Sequence, residues 1–366
     1  DLPPRAGDYV LYWMQASQRE HYNHALEHAA GLSNQLGLPL LAAFGLTDRY
    51  PGANARHYAF LLQGLAETAD ALAGRGVRLV VRRGEPDDVA LDLAADAAEL
   101  ICDRGYLRHQ KRWRERVAVE AGCPVRQVES DAIVPVEVAS NKEEFAARTL
   151  RPKIHKHLAR FLHRLRRVPL DRDSLDVRAD GLDVSDPSAV LATLDVDRGV
   201  APVETFVGGT SRARRRLKAF CDHTLARYHE DRNDPTDHVQ SDLSPYLHFG
   251  QISPVYVALQ ARKADAPPEA INAFLEELVV RRELSINFVH FNPRYDRYES
   301  AVPDWARQTL HAHRGDRREY VYSRDELQRA ATHDPYWNAA QRQMMRSGKM
   351  HNYMRMYWGK KLLEWT

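Results

Sequence analysis

The sequence predicts an α/β N-terminal domain, a doubly wound parallel sheet of Rossmann-like type over residues 1–130. A connector at 131–200 then leads to an all-α C-terminal domain at 201–366. Three observations predict this. Short apolar runs alternate with stretches of helical periodicity before residue 130, the periodicity weakens after it, and from about 201 a helical pattern is punctuated by prolines. At 366 residues, with 44% hydrophobic and 28% charged residues, the chain is long enough for two cores and ordinary in composition. A disordered, collagen-like or disulfide-scaffold protein is excluded.

Asp8 to Gln15 (DYVLYWMQ) reads as the first strand, and His21 to Gly37 follows with helical spacing and a glycine stop. Pro39 to Leu46 is a second buried-type strand, and Arg56 to Gly76 carries Phe60, Leu61, Leu65 and Leu72 at helical intervals. Then come the strand Val77–Val81, the helix Pro86–Ala98, the strand Glu99–Asp103, the helix Gln110–Gly122 and the strand Pro124–Val128. Short right-handed crossovers accommodate such alternation only as a mainly parallel sheet covered on both faces. Sheets of this kind bind ligands at their carboxyl edge. No Gly-x-Gly-x-x-Gly follows the first strand, where Trp13-Met14-Gln15 stands, and there is no Walker-type loop.

The connector holds Ile133-Val134-Pro135-Val136, a basic helix-like stretch and an Asp-rich passage (Asp171, Asp173, Asp176, Asp180, Asp183, Asp186), and is expected to lie over the surface. In the last part Pro235, Pro245, Pro254, Pro267, Pro293 and Pro335 mark helix boundaries. The net charge of +2 averages over local blocks: Arg151 to Arg167 has seven basic residues, three histidines and no acid, and Arg212 to Lys218 is a second basic block. Each reads either as a solvated face or as a polyanion-facing surface.

No apolar run approaches the roughly 18 residues of a membrane span, and Asp1 to Asp8 has neither a basic n-region nor an apolar h-region. Cys102, Cys123 and Cys221 have no metal-type spacing and fit a reducing compartment. The chain is therefore expected to be cytoplasmic, nucleoid-associated in a prokaryote or nuclear in a eukaryote, and monomeric. It does not begin with Met, and Glu364-Trp365-Thr366 falls inside a helical pattern, so it reads as C-terminally incomplete.

His21, His24 and His28 share a helical face but lack a cysteine or supporting carboxylate, so they read as a histidine stripe and no metal is expected. His155 with His157, and His311 with His313, read the same way. In the segment Gln240 to Pro254, Ser241 and Asp242 before Pro245 suggest a helix N-cap with proline in the first turn, whose free N–H groups suit a phosphate. Glu277 and Arg281 stand four apart, as an ion pair worth about 0.2–0.5 kcal/mol or as a carboxylate at the edge of an apolar pocket. Trp358 and Trp365 are seven apart on one helix face, and Trp337 lies twenty-one before Trp358. Between them Ser347 to Trp358 mixes Lys, His, Asn and Arg with apolar residues, which is strange for a plain core helix.

Taken together these segments resemble the DNA photolyase and cryptochrome family, specifically its class II cyclobutane pyrimidine dimer photolyases. The resemblance is carried in family order by Tyr12-Trp13-Met14-Gln15, Ala146 to Ile154, Arg232-Asn233-Asp234-Pro235, Ser244 to Ser253, Glu277 to Asn287, and Gly348-Lys349-Met350-His351 through Trp358. It implies a helical domain that binds FAD and an α/β domain that holds an antenna chromophore of deazaflavin or folate type, the choice being open. By position, Tyr228, Ser241, Leu243, Ser244, Pro245, Leu247 and Gln251 would line the FAD phosphates and sugar. Lys349, Asn352 and Arg355 would flank the flavin from the opposite helix, and Arg281 is assigned to the same site. Glu277 would hydrogen-bond the thymine dimer, and Arg232, Asn352 and Met356 would contact it once flipped out of UV-damaged DNA. Trp337, Trp358 and Trp365 would form the route by which the flavin is photoreduced. The implied activity is that of a deoxyribodipyrimidine photolyase, a carbon–carbon lyase that splits the dimer by light-driven electron transfer. The basic blocks would supply salt-dependent phosphate affinity.

The sequence departs from the family at three places. Asn352 stands where many class II members have Gly, Val280 stands where class I enzymes have a Trp against the dimer, and the family continues past Thr366. Two alternatives stay open: a cryptochrome-like flavin photoreceptor without repair, and a truncated fragment unable to retain FAD.

Overall fold

A computed structural model describes residues 3–366. Its sheet is parallel throughout, with strands β1 (Tyr9–Trp13), β2 (Leu40–Leu46), β3 (Arg78–Arg83), β4 (Ala97–Asp103) and β5 (Val125–Val128) in the order β3-β2-β1-β4-β5. The crossovers are α1 (His24–Leu36), α2 (Ala55–Ala73), α3 (Pro86–Ala94) and α4 (Arg108–Glu120). Alternation along β1 explains the two-sided core. Val10 and Tyr12 face α1 and α2, whereas Tyr9, Leu11 and Trp13 face α3 and α4, and all five are buried. The doubly wound sheet expected from the sequence is thus observed.

Element ends moved where local chemistry decided them. The Asn23 side chain accepts the N–H of Leu26 at 3.0 Å, so α1 starts at His24 rather than His21, and Gly37 closes it in the left-handed region at φ 65°. The helix expected to run to Ala98 stops at Ala94, because Ala97 is already paired with Tyr9. The run Ala94-Ala95-Asp96-Ala97-Ala98 has no periodicity to mark that change.

The connector is more structured than a surface strap. It contains α5 (Val136–Ala139), α6 (Ala147–Phe161) and α7 (Pro187–Thr193), and Val184, Val190 and Leu194 enter the core beside α2. The Asp-rich passage runs along the edge strand β3. Leu182 N bonds Val81 O at 2.7 Å, and Arg78 donates to Val177 O and Ala179 O, so the strand edge is covered.

The helical part follows as α8 (Thr210–Ala219), α9 (Tyr228–Asp231), α10 (Ser244–His248), α11 (Pro254–Ala261), α12 (Pro268–Leu275), α13 (Arg282–Phe291), α14 (Tyr298–Ala301), α15 (Asp304–Ala312), α16 (Arg324–Gln328), α17 (Pro335–Ser347) and α18 (Asn352–Trp365). A π-helical turn, Glu276–Arg281, joins α12 to α13. Phe220, Tyr228 and Phe274 centre the core, to which the connector adds Ile133, Leu150 and Ile154.

Close backbone approach fastens the two halves. Gly250 has φ 66°, and a Cβ there would lie 1.7 Å from Ala16 O, on the loop after β1. The wholly buried Arg19 donates to Gly250 O and Ser130 O, each at 2.9 Å. Gln251 accepts from Gly209 N at 2.7 Å and donates to Phe60 O at 3.2 Å, close against Gly64 of α2.

Candidate functional site

At the carboxyl edge of the sheet, near the neighbouring strands β1 and β4 between which the strand order reverses, the two halves enclose a cavity of about 870 Å³. One wall comes from strand ends and the segments after them: Met14 and Gln15, Phe44 to Thr47, Tyr50, Tyr106 and Leu107, with Gln110 and Trp113 of α4. The other wall is helical: Tyr228, Ser241, Ser244, Leu247, His248, Glu277, Arg282, Asn352 and Arg355. Volume and mixed lining suit an organic ligand. Gln15 and Gln18, both on the wall, have buried amide atoms with no hydrogen-bond partner among the described residues. Such atoms are costly to leave unpaired, so they favour a polar ligand at that end.

Below the strand ends a buried network holds the wall rigid. Asp103 accepts from Gln15 N and Ser17 N, each at 2.9 Å, and from the Tyr12 hydroxyl at 3.0 Å. Burial raises the Asp103 carboxyl above its ordinary pKa, against the pull of those donors and of Arg19.

The π-helical turn decides what Glu277 does. Its wider turn removes the four-residue pairing expected from the spacing: Glu277 and Arg281 make no ion pair. Arg281 leans instead on Glu276, which Arg151 of α6 grips at 2.7 and 3.0 Å, so Arg281 lies outside the cavity lining. Glu277 faces the cavity and meets Arg232 at 3.0 Å, and the Arg232 guanidinium lies 5.8 Å from the Tyr228 ring centre. Burial and the Glu277 charge raise the Tyr228 phenol above its usual range.

The N-cap expected from Ser241 and Asp242 is not made. Leu243 takes that position, no side chain caps α10, and Asp242 has φ 55° with its carboxylate held by Lys349 and, at 3.6 Å, by Arg216. Proline does occupy the first turn, as expected. The Lys349–Asp242 pair joins the turn between α17 and α18 to the segment before α10, tying together two parts of the helical wall.

Of the residues assigned through the resemblance, Tyr228, Ser241, Ser244, Leu247, Glu277, Asn352 and Arg355 line the cavity. Leu243 is buried behind it, Pro245 stands in the first turn of α10, Lys349 is spent on Asp242, and Met356 is exposed. Gln251 is wholly buried at the junction of the halves, where both ends of its amide are taken by backbone groups, so it does not reach the cavity. Val280 is buried and Arg232 stands beside Glu277. Sequence reasoning missed His248, Arg282 and the aromatic wall Tyr50, Tyr106 and Trp113. The carboxyl-edge rule, applied residue by residue after β2 and β4, is the signal that finds the last three.

The tryptophans form one cluster. Trp337 and Trp358 stack with ring centres 5.7 Å apart and planes 8° from parallel, and Trp365 meets Trp337 at 5.7 Å and 64°. They are outside the cavity lining, but α18 bears Asn352 and Arg355 on the cavity and then Trp358 and Trp365 in the cluster. Among the described residues no group of three or more His, Cys, Asp or Glu is placed to hold a metal, and no helix is long and apolar enough to cross a membrane.

A family model described as DNA photolyase matches residues 10–170. The chain is 51% identical over 365 residues to the deoxyribodipyrimidine photo-lyase of Methanothermobacter thermautotrophicus, covering 100% of this chain and 80% of that protein. It is 39% identical over 361 residues to the deoxyribodipyrimidine photo-lyase of Potorous tridactylus, covering 97% and 67%. Among solved structures it resembles a Synechocystis cryptochrome, with TM-score 0.77, 17% identity and 97% and 74% of the two chains covered. An archaeal photolyase from Sulfolobus tokodaii crystallised with two FAD molecules gives TM-score 0.74 at 18% identity, with 97% and 74% covered.

Proposed function

The chain belongs to the DNA photolyase family, and from that premise we propose that it repairs cyclobutane pyrimidine dimers in DNA as a class II enzyme holding FAD in the cavity. The observation that carries the reading is Glu277 on the cavity wall, paired with Arg232 and facing the same space as Asn352 and Arg355. When bound, FAD supplies light-driven one-electron chemistry, and the protein's part is binding, orientation and electrostatics.

The cavity residues fit that cofactor. Ser241 and Ser244 present hydroxyls for phosphate and sugar oxygens. Arg355 and Asn352 face them from α18, pre-oriented by an Arg355 Nη2 to Asn352 Oδ1 bond of 2.8 Å. His351, buried, accepts the N–H of Tyr353 at 3.2 Å and sits 3.3 Å from Gln240, so the start of α18 is fixed before any ligand arrives. The unpaired Gln15 amide and Gln18 Oε1 lie at the α/β end of the cavity, where an antenna pigment would sit.

Glu277 and Arg232 stand where the damaged bases would enter. A carboxyl group there can hold the base carbonyls, and the adjacent guanidinium places positive charge where an added electron would leave negative charge. Repair needs the dimer flipped out, and poor stacking makes a dimer cheaper to extrude than normal bases. The basic face of α6 lies beside the π-helical turn. Arg151 and Lys153 are committed to Glu276 and Glu144, while Lys156 and Arg160 are exposed and available to phosphates.

The test is light-dependent loss of dimers from irradiated oligonucleotides, with flavin content measured on the same samples. Glu277→Ala is expected to lower repair about tenfold or more while keeping its flavin. Full repair by that variant overturns the role given to Glu277. A wild-type chain that holds flavin and leaves dimers intact under light overturns the repair reading.

A further inference from the structure

Glu276 and Glu277 are neighbours in the chain, and three guanidinium groups share them. Arg151 of α6 grips Glu276 through two hydrogen bonds, Nη2 to Oε1 at 2.7 Å and Nε to Oε2 at 3.0 Å, and Arg281 Nε stands 3.5 Å from the same Oε1. Arg232 holds Glu277 at 3.0 Å on the cavity wall. The Arg151 guanidinium draws the Glu276 carboxyl below its ordinary pKa, and Arg281 adds to the pull.

The spacing of these groups tells a widened turn from a regular one. In an α-helix, side chains four residues apart stand about 40° from one another and those five apart about 140°. A regular helix over 276–281 therefore brings Arg281 to Glu277 and carries it away from Glu276. The observed turn does the reverse. The N–H of Arg282 reaches five residues back to Glu277 O, and Arg281 meets Glu276, five residues before it. The Glu276–Arg281 pair thus belongs to the widened turn, and a Glu277–Arg281 pair to the regular one. Arg151 weighs only on the first, because its two bonds fix Glu276 where Arg281 finds it. Glu283 fixes the start of α13 on the connector, so a change of turn is taken up toward α12.

We propose that Glu276, gripped by Arg151, is the positioning residue that keeps Glu277 on the cavity wall. It does so by holding Arg281 away from Glu277 and the turn in its widened form. This rests on the reading of Glu277 as the group that meets the damaged bases. Without Glu276 the widened turn loses both of its side-chain anchors, Arg281 is released, and the four-residue pair with Glu277 forms at the expense of the cavity. The connector helix α6 thus bears on the lesion site without touching it.

The test uses flavin-loaded protein in excess over an irradiated oligonucleotide, so that the first-order rate of repair under light is read on bound dimer. Glu276→Ala is expected to slow that rate about two- to fivefold, the shift in a two-state balance that a partly exposed pair supplies. Its flavin content and its dark affinity for the undamaged oligonucleotide should match the wild type. Arg151→Ala should slow repair in the same direction, and Arg151→Lys should recover part of that loss. The sharpest variant combines Glu276→Ala with Arg281→Ala. With no competitor left for Glu277, repair should return toward the wild-type rate, which a general loss of packing does not allow. A double variant as slow as Glu276→Ala overturns the proposal, and so does a loss confined to DNA affinity with the bound rate unchanged. A crystal structure of Glu276→Ala gives a readout free of activity: Glu277 turned onto Arg281 supports the proposal, and Glu277 unmoved beside Arg232 overturns it. Full repair by Glu277→Ala is a different failure. It sinks the reading of Glu277, and the proposal with it, even where the turn has changed.

Discussion

Glu277 and Glu283 stand six residues apart in one continuous helical run, yet their surroundings have almost nothing in common. Glu277 sits in the π-helical turn with its side chain 36% exposed, facing the cavity and paired with Arg232. Glu283 is wholly enclosed on α13, and its carboxylate accepts the backbone N–H of Ile133 at 2.6 Å and that of Val134 at 3.4 Å. Burial pushes its carboxyl up to about 8. The difference teaches that one widened turn separates two uses of a carboxylate. The first is left reachable for a ligand, and the second pins the connector to the helix that carries the first.

Three experiments break or sharpen that contrast. The largest effect is expected for Glu283→Ala, which leaves two buried N–H groups without their acceptor and opens a small cavity. The loss is about 2–4 kcal/mol, read as a shift in urea midpoint, against less than about 1 kcal/mol for Glu277→Ala. Equal losses would break the contrast.

Next comes the pH dependence. A carboxyl whose folded pKa is raised binds its proton more tightly in the native state, so its stabilising contribution is complete below the unfolded value near 4.5. It is lost as pH rises through the window to about 8. Arg282 draws that pKa down and Glu129 pushes it up, so neither sets the direction. Urea midpoints measured across the window should fall with pH in the wild type, and Glu283→Gln, which cannot ionise, should flatten the slope. An identical slope in that variant means the titrating group lies elsewhere. The smallest effect is expected for Arg151→Ala: its pair with Glu276 is partly exposed and screened by solvent, so only a small shift in thermal midpoint should be measured.

The sheet was legible because its signals are local. The β-rich apolar run in DYVLYWMQ and Gly37 as a helix stop each act within a few residues. The cavity was half legible. Tyr228, Ser244, Glu277 and Asn352 could be placed through the family resemblance, and they face one space. What escaped depends on the third dimension. A π-helical turn has no composition of its own, so the four-residue spacing of Glu277 and Arg281 suggested a pair that the wider turn prevents. Gln251 was expected as a ligand contact through the resemblance carried by the Ser244 to Ser253 segment, but the glycines around it draw its amide into the junction. Asp242 looked like a cap until Lys349, more than a hundred residues away, claimed its carboxylate.

The junction at Gly250 also limits how the chain can be recombined. Ala16 O occupies the space a side chain would need, Arg19 reaches back to the Gly250 carbonyl, and Gly64 makes room for Gln251. The two halves are therefore not interchangeable modules. A chimera that takes its sheet from one parent and its helices from another inherits a mortise cut for a different tenon, unless residues 16–19, 64 and 250–251 come from the same parent.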